Sequence, residues 1–283
     1  MDANTHNNEI TAACNPVDFK TNAQDPCRPT GIPFGHQASN VEPRARRDGA
    51  ATEGSERDAY TQYTIKEITE SITDSLAANS LGISGENISR LAEYAQFLLE
   101  WNEKINLVSR ASAGDFATQH IADSALAETK LPAKIRTLVD LGSGGGLPGI
   151  VIAILRPDVQ VTLAETKEKK IRFLRECVRA LNLQNIRVYD AARLSPVAND
   201  TAATNKPTVA DKHDILVCRA FASLPMIVRE SKKYLRPGGE IYAFKGRLET
   251  AKSEQKKLRC TFKPYRLHSP CGKSYERTLV IIR

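Results

Sequence analysis

From Ile65 onward, apolar residues recur at helical spacing: Ile65, Ile68, Ile72 and Leu76 fall on one face. Gly82 and Gly85 interrupt the pattern. A stronger helix follows through Ile88, Leu91, Ala95, Leu98 and Leu99 into Trp101. A third, short helix is predicted from Asp115 to Glu128. At Ile135 the period changes. Short apolar runs, TLVDL, VQVTLAE, IRVYD, DILVCRA and EIYAFKG, alternate with amphipathic stretches near 148–156, 167–181, 221–235 and 249–258. Such alternation predicts an α/β fold, a mostly parallel sheet with helices on both faces. Segments 261–268 and 275–282 can pair as an antiparallel hairpin at the sheet edge, which brings the expected sheet to seven strands.

Elsewhere the pattern is missing. Residues 1–57 are rich in Asn, Thr, Pro, Gly and Ala, with few aliphatic residues, and read as a disordered N-terminal extension. A small helical N-terminal cap is expected over 58–134 and a ligand-binding sheet domain over 135–283. Residues 195–212 are polar, contain Pro196 and Pro207, and read as a loop.

One turn in this pattern carries chemistry. LVDLGSGGGLPG (138–149) reads as a buried strand, a glycine turn and a helix start. Bare backbone in such a turn lets a ligand lie close. Glu165, at the end of the next strand, is placed to accept hydrogen bonds from a ribose diol. Together they predict an adenosine-type cofactor. The dinucleotide fingerprint G-x-G-x-x-G needs a third glycine where this chain has Leu147, which counts against a nicotinamide dehydrogenase. The pattern present is Gly142, Gly144 and Gly146, preceded by Asp140. A carboxylate there repels a pyrophosphate and attracts the cationic methionine end of S-adenosylmethionine.

Charge adds a partner. The chain has 283 residues, with 40 Lys+Arg against 33 Asp+Glu. Residues 1–57 hold 6 basic and 8 acidic side chains, so the remainder carries a net charge of +9. A basic body suits a polyanion such as nucleic acid, although ordinary solubility charge gives the same count. The extension's Arg44, Arg46 and Arg47 read as a solvated patch more readily than as an RNA contact. Six cysteines form no C-x-x-C, and no His/Cys group has zinc-ligand spacing, so no metal is expected. Cys177 and Cys218 sit in apolar segments and read as small core residues. No apolar run approaches membrane-spanning length, and the N-terminus lacks a secretory pattern. The expectation is a cytoplasmic protein.

No conventional catalytic motif is present: no G-x-S-x-G and no H-E-x-x-H. A ring nitrogen with its own lone pair needs no base, so a base-free site suits that acceptor. Catalysis then comes from positioning and electrostatics. Arg219 and Lys245 close successive strands at the edge where such sheets bind ligands, and are the candidate positioning residues. A salt bridge is the plain alternative for Arg219. The helix bearing Lys167, Lys169, Lys170, Arg172, Arg175 and Arg179 buries Ile171, Leu174, Cys177, Val178 and Leu181, so its charges face outward. They form either a phosphate track or a solvated face.

WNEKINLVS (101–109), HIADS (120–124), LVDLGSGGGLPGI (138–150), RFLR (172–175), CRAFASL (218–224), YAFKG (242–246) and YERTLVIIR (275–283) resemble one family in its own order. This is the RsmG (GidB) family of bacterial 16S ribosomal RNA guanine-N7 methyltransferases. The resemblance covers roughly 65–283. It implies a class I, Rossmann-like methyltransferase fold, S-adenosylmethionine as donor, and N7 of guanine 527 in 16S rRNA of the small ribosomal subunit as acceptor. A monomer is expected, although the sequence alone does not fix the oligomeric state. Family cofactor contacts map onto Gly142, Leu147, Arg193, Leu194 and Arg219, and Glu165 matches the acid after the second strand. The family usually carries a small or apolar residue and then Glu where this chain has Arg193 and Leu194, and a one-residue slip to Leu194–Ser195 is the alternative pairing. Two other readings remain: a class I methyltransferase acting on another RNA or a small molecule, and a cofactor-holding ribosome-assembly factor.

Overall fold

The computed structural model describes residues 63–109, 113–193, 195–196, 212–255 and 258–283. The extension over 1–57, with its arginines, lies outside them, as do Leu194 and most of the predicted loop. The first helix starts on a reciprocal cap. The Glu67 N–H donates to the Thr64 hydroxyl (3.3 Å), and the Thr64 N–H donates to the Glu67 carboxylate (2.8 Å), satisfying two donors that a helix start leaves orphaned. α1 spans Ile65–Ala78, and α2 spans Gly85–Asn102 behind a Ser84 cap. The third predicted helix contains a π-helical turn (Ala117–Ala122) between α3 (Ala113–Phe116) and α4 (Asp123–Glu128).

Alternation follows as expected: β1 (Thr137–Leu141), α5 (Gly149–Leu155), β2 (Gln160–Glu165), α6 (Glu168–Ala180), β3 (Ile186–Asp190), β4 (Ser195–Pro196), β5 (His213–Arg219), α7 (Leu224–Ser231), β6 (Leu235–Lys245), α8 (Leu248–Ser253), β7 (Cys260–His268) and β8 (Ser274–Ile282). Across the sheet the order is β4-β3-β2-β1-β5-β6-β8-β7. The five strands β3, β2, β1, β5 and β6 run parallel, and β8 and β7 close the edge antiparallel. These are the seven expected strands. The two-residue β4 is an addition, pairing antiparallel with β3 inside the stretch read as loop. α7 starts at Leu224, later than the pattern suggests, because Ser223 is extended and Pro225 stands in the first turn. The end of that stretch joins β6 instead.

Side chains alternate between two layers, as strand geometry requires. Leu138, Leu163, Val188 and Val217 face a core shared with α1, α2, α5 and α6. Val139, Leu141, Leu216, Cys218 and Ala243 face a second core under α7 and α8. The N-terminal helices therefore pack on the same core as the sheet. Phe173 of α6 is fully buried, its ring 5.9 Å from Phe97 and 5.7 Å from Trp101 of α2. Truncating such a buried ring costs about 3–5 kcal/mol, which measures how firmly α6 is pinned to α2. Cys177 and Cys218 are buried, as expected.

Candidate cofactor and substrate site

The chain runs from β1 to β2 and β3 on one side, then crosses to β5 on the other. Strand order therefore reverses at β1. The crevice beyond the C-terminal ends of β1 and β5 is the switch point, where open α/β sheets bind ligands. The glycine loop leaves β1 there, and the segment from Ala220 leaves β5.

The loop is held from behind. Asn102 Oδ1 accepts from the N–H of Leu107 (2.8 Å) and Val108 (3.0 Å), closing the turn after α2. Leu107 and Val108 back onto Gly145, whose carbonyl accepts from the Tyr94 hydroxyl at 2.6 Å. The Trp101–Asn102 motif is thus a brace. Gly144 has φ +58°, and a Cβ there would meet nothing closer than 3.8 Å, so the space beside its backbone is open. Gly149 does a different job. A Cβ on it would lie 2.5 Å from Leu163 and 2.7 Å from Asp140 Oδ2. Close strand–helix packing, assigned to the third glycine in a dinucleotide fingerprint, falls here on Gly149. A Cβ on Gly142 would run into the Phe221 ring, and one on Gly146 into Ile150. Leu147 is buried, so its side chain is spent on the core and only its backbone faces the loop.

Asp140 is completely buried. Its Oδ2 accepts from the Gly149 N–H at 2.9 Å, while Oδ1 has no hydrogen-bond partner among the described residues. Burial raises its pKa to about 7, against smaller opposing effects from the Gly149 N–H and the Arg219 charge. The open electrostatic partner expected from sequence is therefore a carboxylate that ties β1 to α5, with one oxygen left over. Glu165 is also nearly buried. Its Oε1 accepts from Thr166 N–H (2.7 Å) and Lys167 N–H (3.0 Å), and its Oε2 accepts from Gly144 N–H (3.0 Å). Each carboxylate oxygen offers two lone-pair sites, so Oε2 retains one.

Arg219 ends β5 with its guanidinium turned toward the π-helical turn. It donates to the Gln119 carbonyl (3.0 Å), His120 Nδ1 (2.9 Å) and Asp123 Oδ2 (3.4 Å). Arginine has no acceptor, so His120 Nδ1 must carry its lone pair and the ring is neutral. Burial, then the charges of Arg219 and Arg277, hold the His120 pKa down at about 3. Asp123 also accepts from Tyr265 (3.1 Å) and Arg277 (3.4 Å) of the terminal hairpin. Two guanidinium groups thus share one buried carboxylate, leaving positive charge at this edge. A groove of about 660 Å³ opens beside them between the loop after β6 and the hairpin. Arg247, Arg266 and Arg277 line it with Glu249 and Glu276.

Lys245 is not turned toward the crevice. Its ammonium donates to the Ala222 carbonyl (2.6 Å) and Glu254 Oε2 (2.8 Å), and Leu224 N–H donates to the same carboxylate oxygen (3.1 Å). Arg193 lies on the turn after β3, largely exposed and paired with Asp190 at 3.6 Å. Asp190 Oδ1 also accepts from the N–H of Ala192 and Arg193, both at 3.0 Å. Lys167, just before α6, and Lys169, Arg172 and Arg179 on it are exposed, Arg179 pairs with Glu176 at 2.6 Å, and Lys170 Nζ lies 3.8 Å from the Gly144 Cβ position. Asp123 and Tyr265 carry no signal in the sequence, because their partners are about 100 and 140 residues away.

The family model GidB, rRNA small subunit methyltransferase G, matches residues 87–280. The chain belongs to this family. The ribosomal RNA small subunit methyltransferase G of Xanthomonas campestris pv. campestris (strain B100) is 36% identical over 180 residues, 64% of this chain and 78% of that protein. Its counterpart in Acinetobacter baumannii (strain ATCC 17978) is 32% identical over 192 residues, 67% and 86%. Among solved structures, the O-methyltransferase of Bacillus cereus in complex with SAH overlaps 78% of this chain and 100% of that one, with a TM-score of 0.45 and 16% identity. An overlap that loose transfers no residue roles.

The GidB fold is the class I, Rossmann-like one expected, and two features of the chain fit S-adenosylmethionine. Gly144 leaves an open backbone seat, and Asp140 Oδ1 is a buried acceptor with no partner among the described residues. Gly142, Gly144, Glu165 and Asp140 converge there. Leu194 falls outside the described residues.

Proposed function

We propose that this chain transfers the methyl group of S-adenosylmethionine to N7 of guanine 527 in 16S rRNA of the small ribosomal subunit. The family's description and its relatives' names support a small-subunit rRNA methyltransferase. The observation that carries the finer reading is the state of His120. Its one free lone pair is committed to Arg219, and its pKa of about 3 keeps it neutral. Asp140 is buried against Gly149, and Glu165 is bound to three backbone N–H groups. A histidine and a ribose-side carboxylate so engaged suit an acceptor atom that brings its own lone pair and loses no proton.

When bound, S-adenosylmethionine supplies a methyl group on a cationic sulfur. The residues proposed to hold it are Gly142, Gly144, Gly146 and Leu147 through the backbone, Glu165 at the ribose, and Asp140 through Oδ1. Arg193, on the turn after β3, and Leu194, by the family resemblance alone, would border the adenine. Arg219 would position the strand end by its grip on the π-helical turn, and Lys245 would do so through Ala222. Positive charge from Arg219, Arg277 and the neighbouring groove would draw the RNA backbone. No helix among the described residues is long and apolar enough to cross a membrane. The same reading has the protein acting as a monomer in the cytoplasm. The test is a chemical map of 16S rRNA from cells lacking the gene. The expected result is loss of a cleavable N7-methylguanine at position 527, restored by the gene. An unchanged map would refute the assignment.

A further inference from the structure

We propose that Phe221 is the platform on which the target purine stacks during methyl transfer, a role that rests on the function proposed above. Three large hydrophobic side chains are exposed among the described residues: Ile65, Phe221 and Met226. Ile65 and Met226 lie within helices, where a lone exposed apolar residue is ordinary. Phe221 lies in the segment leaving β5, at the mouth of the switch-point crevice, and is 37% exposed.

The backbone there is unusual and tightly held. Ala220 has φ +50°, a left-handed conformation that a residue with a Cβ rarely adopts. Such strain persists only where its surroundings impose it, and it clusters at functional sites. Here both neighbours of the Ala220–Phe221 pair are clamped. Arg219 is fixed through Gln119, His120 and Asp123. Ala222 is fixed through its carbonyl, which accepts from Lys245 at 2.6 Å. The ring lies against Gly142, where a side chain would collide with it. An exposed aromatic ring is therefore presented from a braced, strained loop.

Its side of the crevice identifies the occupant. Glu165 and the Asp190 turn end β2 and β3, on one side of β1. Phe221 follows β5, on the other side. With the adenosine seated toward β2, the acceptor enters from the β5 side, past Phe221. Enzymes that modify a base take it out of its stack and hold its face against aromatic side chains. Stacking fixes the plane of a purine, and thereby the direction of the N7 lone pair.

The test compares wild type, Phe221→Ala and Phe221→Trp. Three quantities are measured: methyl transfer from labelled S-adenosylmethionine to small ribosomal subunits from the gene-deleted cells, cofactor affinity by calorimetry, and quenching of 2-aminopurine placed at the target position of an RNA fragment. Phe221→Ala is expected to lose at least tenfold in kcat/KM for the subunit and to lose the quenching, with cofactor affinity within twofold of wild type. Phe221→Trp is expected to restore both. Wild-type transfer with an unimpaired Phe221→Ala overturns the platform alone, and so does a Phe221→Ala defect confined to cofactor affinity, which would make the ring a cofactor wall. A wild type that transfers nothing to the subunit overturns the platform together with the function.

Discussion

Asp140→Asn should stabilise the protein at pH 8 and leave it nearly unchanged near pH 4. The wild-type carboxyl ionises at an ordinary 3.8 when unfolded but at about 7 when folded, because burial penalises the charge. Between those values the folded state keeps a proton that the unfolded state has released. Raising the pH therefore favours unfolding, with the loss beginning near pH 4 and complete just above 7. At about 1.36 kcal/mol per pKa unit, the difference comes to about 4 kcal/mol at pH 8. Asparagine has nearly the same shape, and its Oδ1 can accept from Gly149 as the carboxylate does. Its amide N–H₂ then takes the place of Oδ1, where the protonated acid also carries a donor, so the two proteins match at low pH. His120 works in the opposite sense. Its pKa falls to about 3 on folding, so stability is lost as pH drops below about 6.5 toward 3. That contribution is common to both proteins and cancels in their difference. Urea unfolding from pH 4 to pH 8 without cofactor gives the comparison. The gap between variant and wild type should open as pH rises. Parallel stability profiles would refute the burial argument.

Three further predictions concern the glycine loop and the extension. Gly144→Val should abolish S-adenosylmethionine binding by calorimetry yet fold, since its Cβ meets nothing within 3.8 Å and the left-handed strain costs about 1–2 kcal/mol; Gly149→Val should instead lower the melting temperature, because its Cβ would overlap Leu163 and Asp140. Near-native cofactor affinity in the first, or an unchanged melting curve in the second, would contradict this division of labour. Removing residues 1–57 should leave methyl transfer to the subunit intact, since the family match begins at residue 87; a folded but inactive truncation would show that the extension contributes.

Most of the fold is legible in the sequence because it is written in local periodicity. The apolar runs of β1, β2, β3 and β5 and the amphipathic α6 bury most of the residues their spacing selects; Leu181, just past the end of α6, is only half-buried. Element ends are less legible, since they depend on single residues. Ser223 delays α7, and Asn102 closes the turn after α2 by bonding five and six residues ahead. The π-helical turn leaves no periodic trace, because one extra residue in a short helix shifts the pattern by less than its own irregularity.

The site divides along the same line. The glycine loop and Glu165 are contiguous with the strands that place them, so their meeting can be foreseen. What Arg219 and Lys245 do cannot, because both are strand-end cations and chain order says nothing of their partners. Arg219 reaches back to the π-helical turn, whereas Lys245 reaches Ala222, three residues beyond Arg219 and on a neighbouring strand's exit. Together they bracket Ala220 and Phe221. Neither cation needs to touch a ligand to matter, since each removes one end's freedom from the same two-residue span. Reading them as ligand contacts assigns the chemistry to the charges. In the proposal above it lies instead with what the charges hold still: a strained backbone at Ala220 and an exposed Phe221 ring against Gly142.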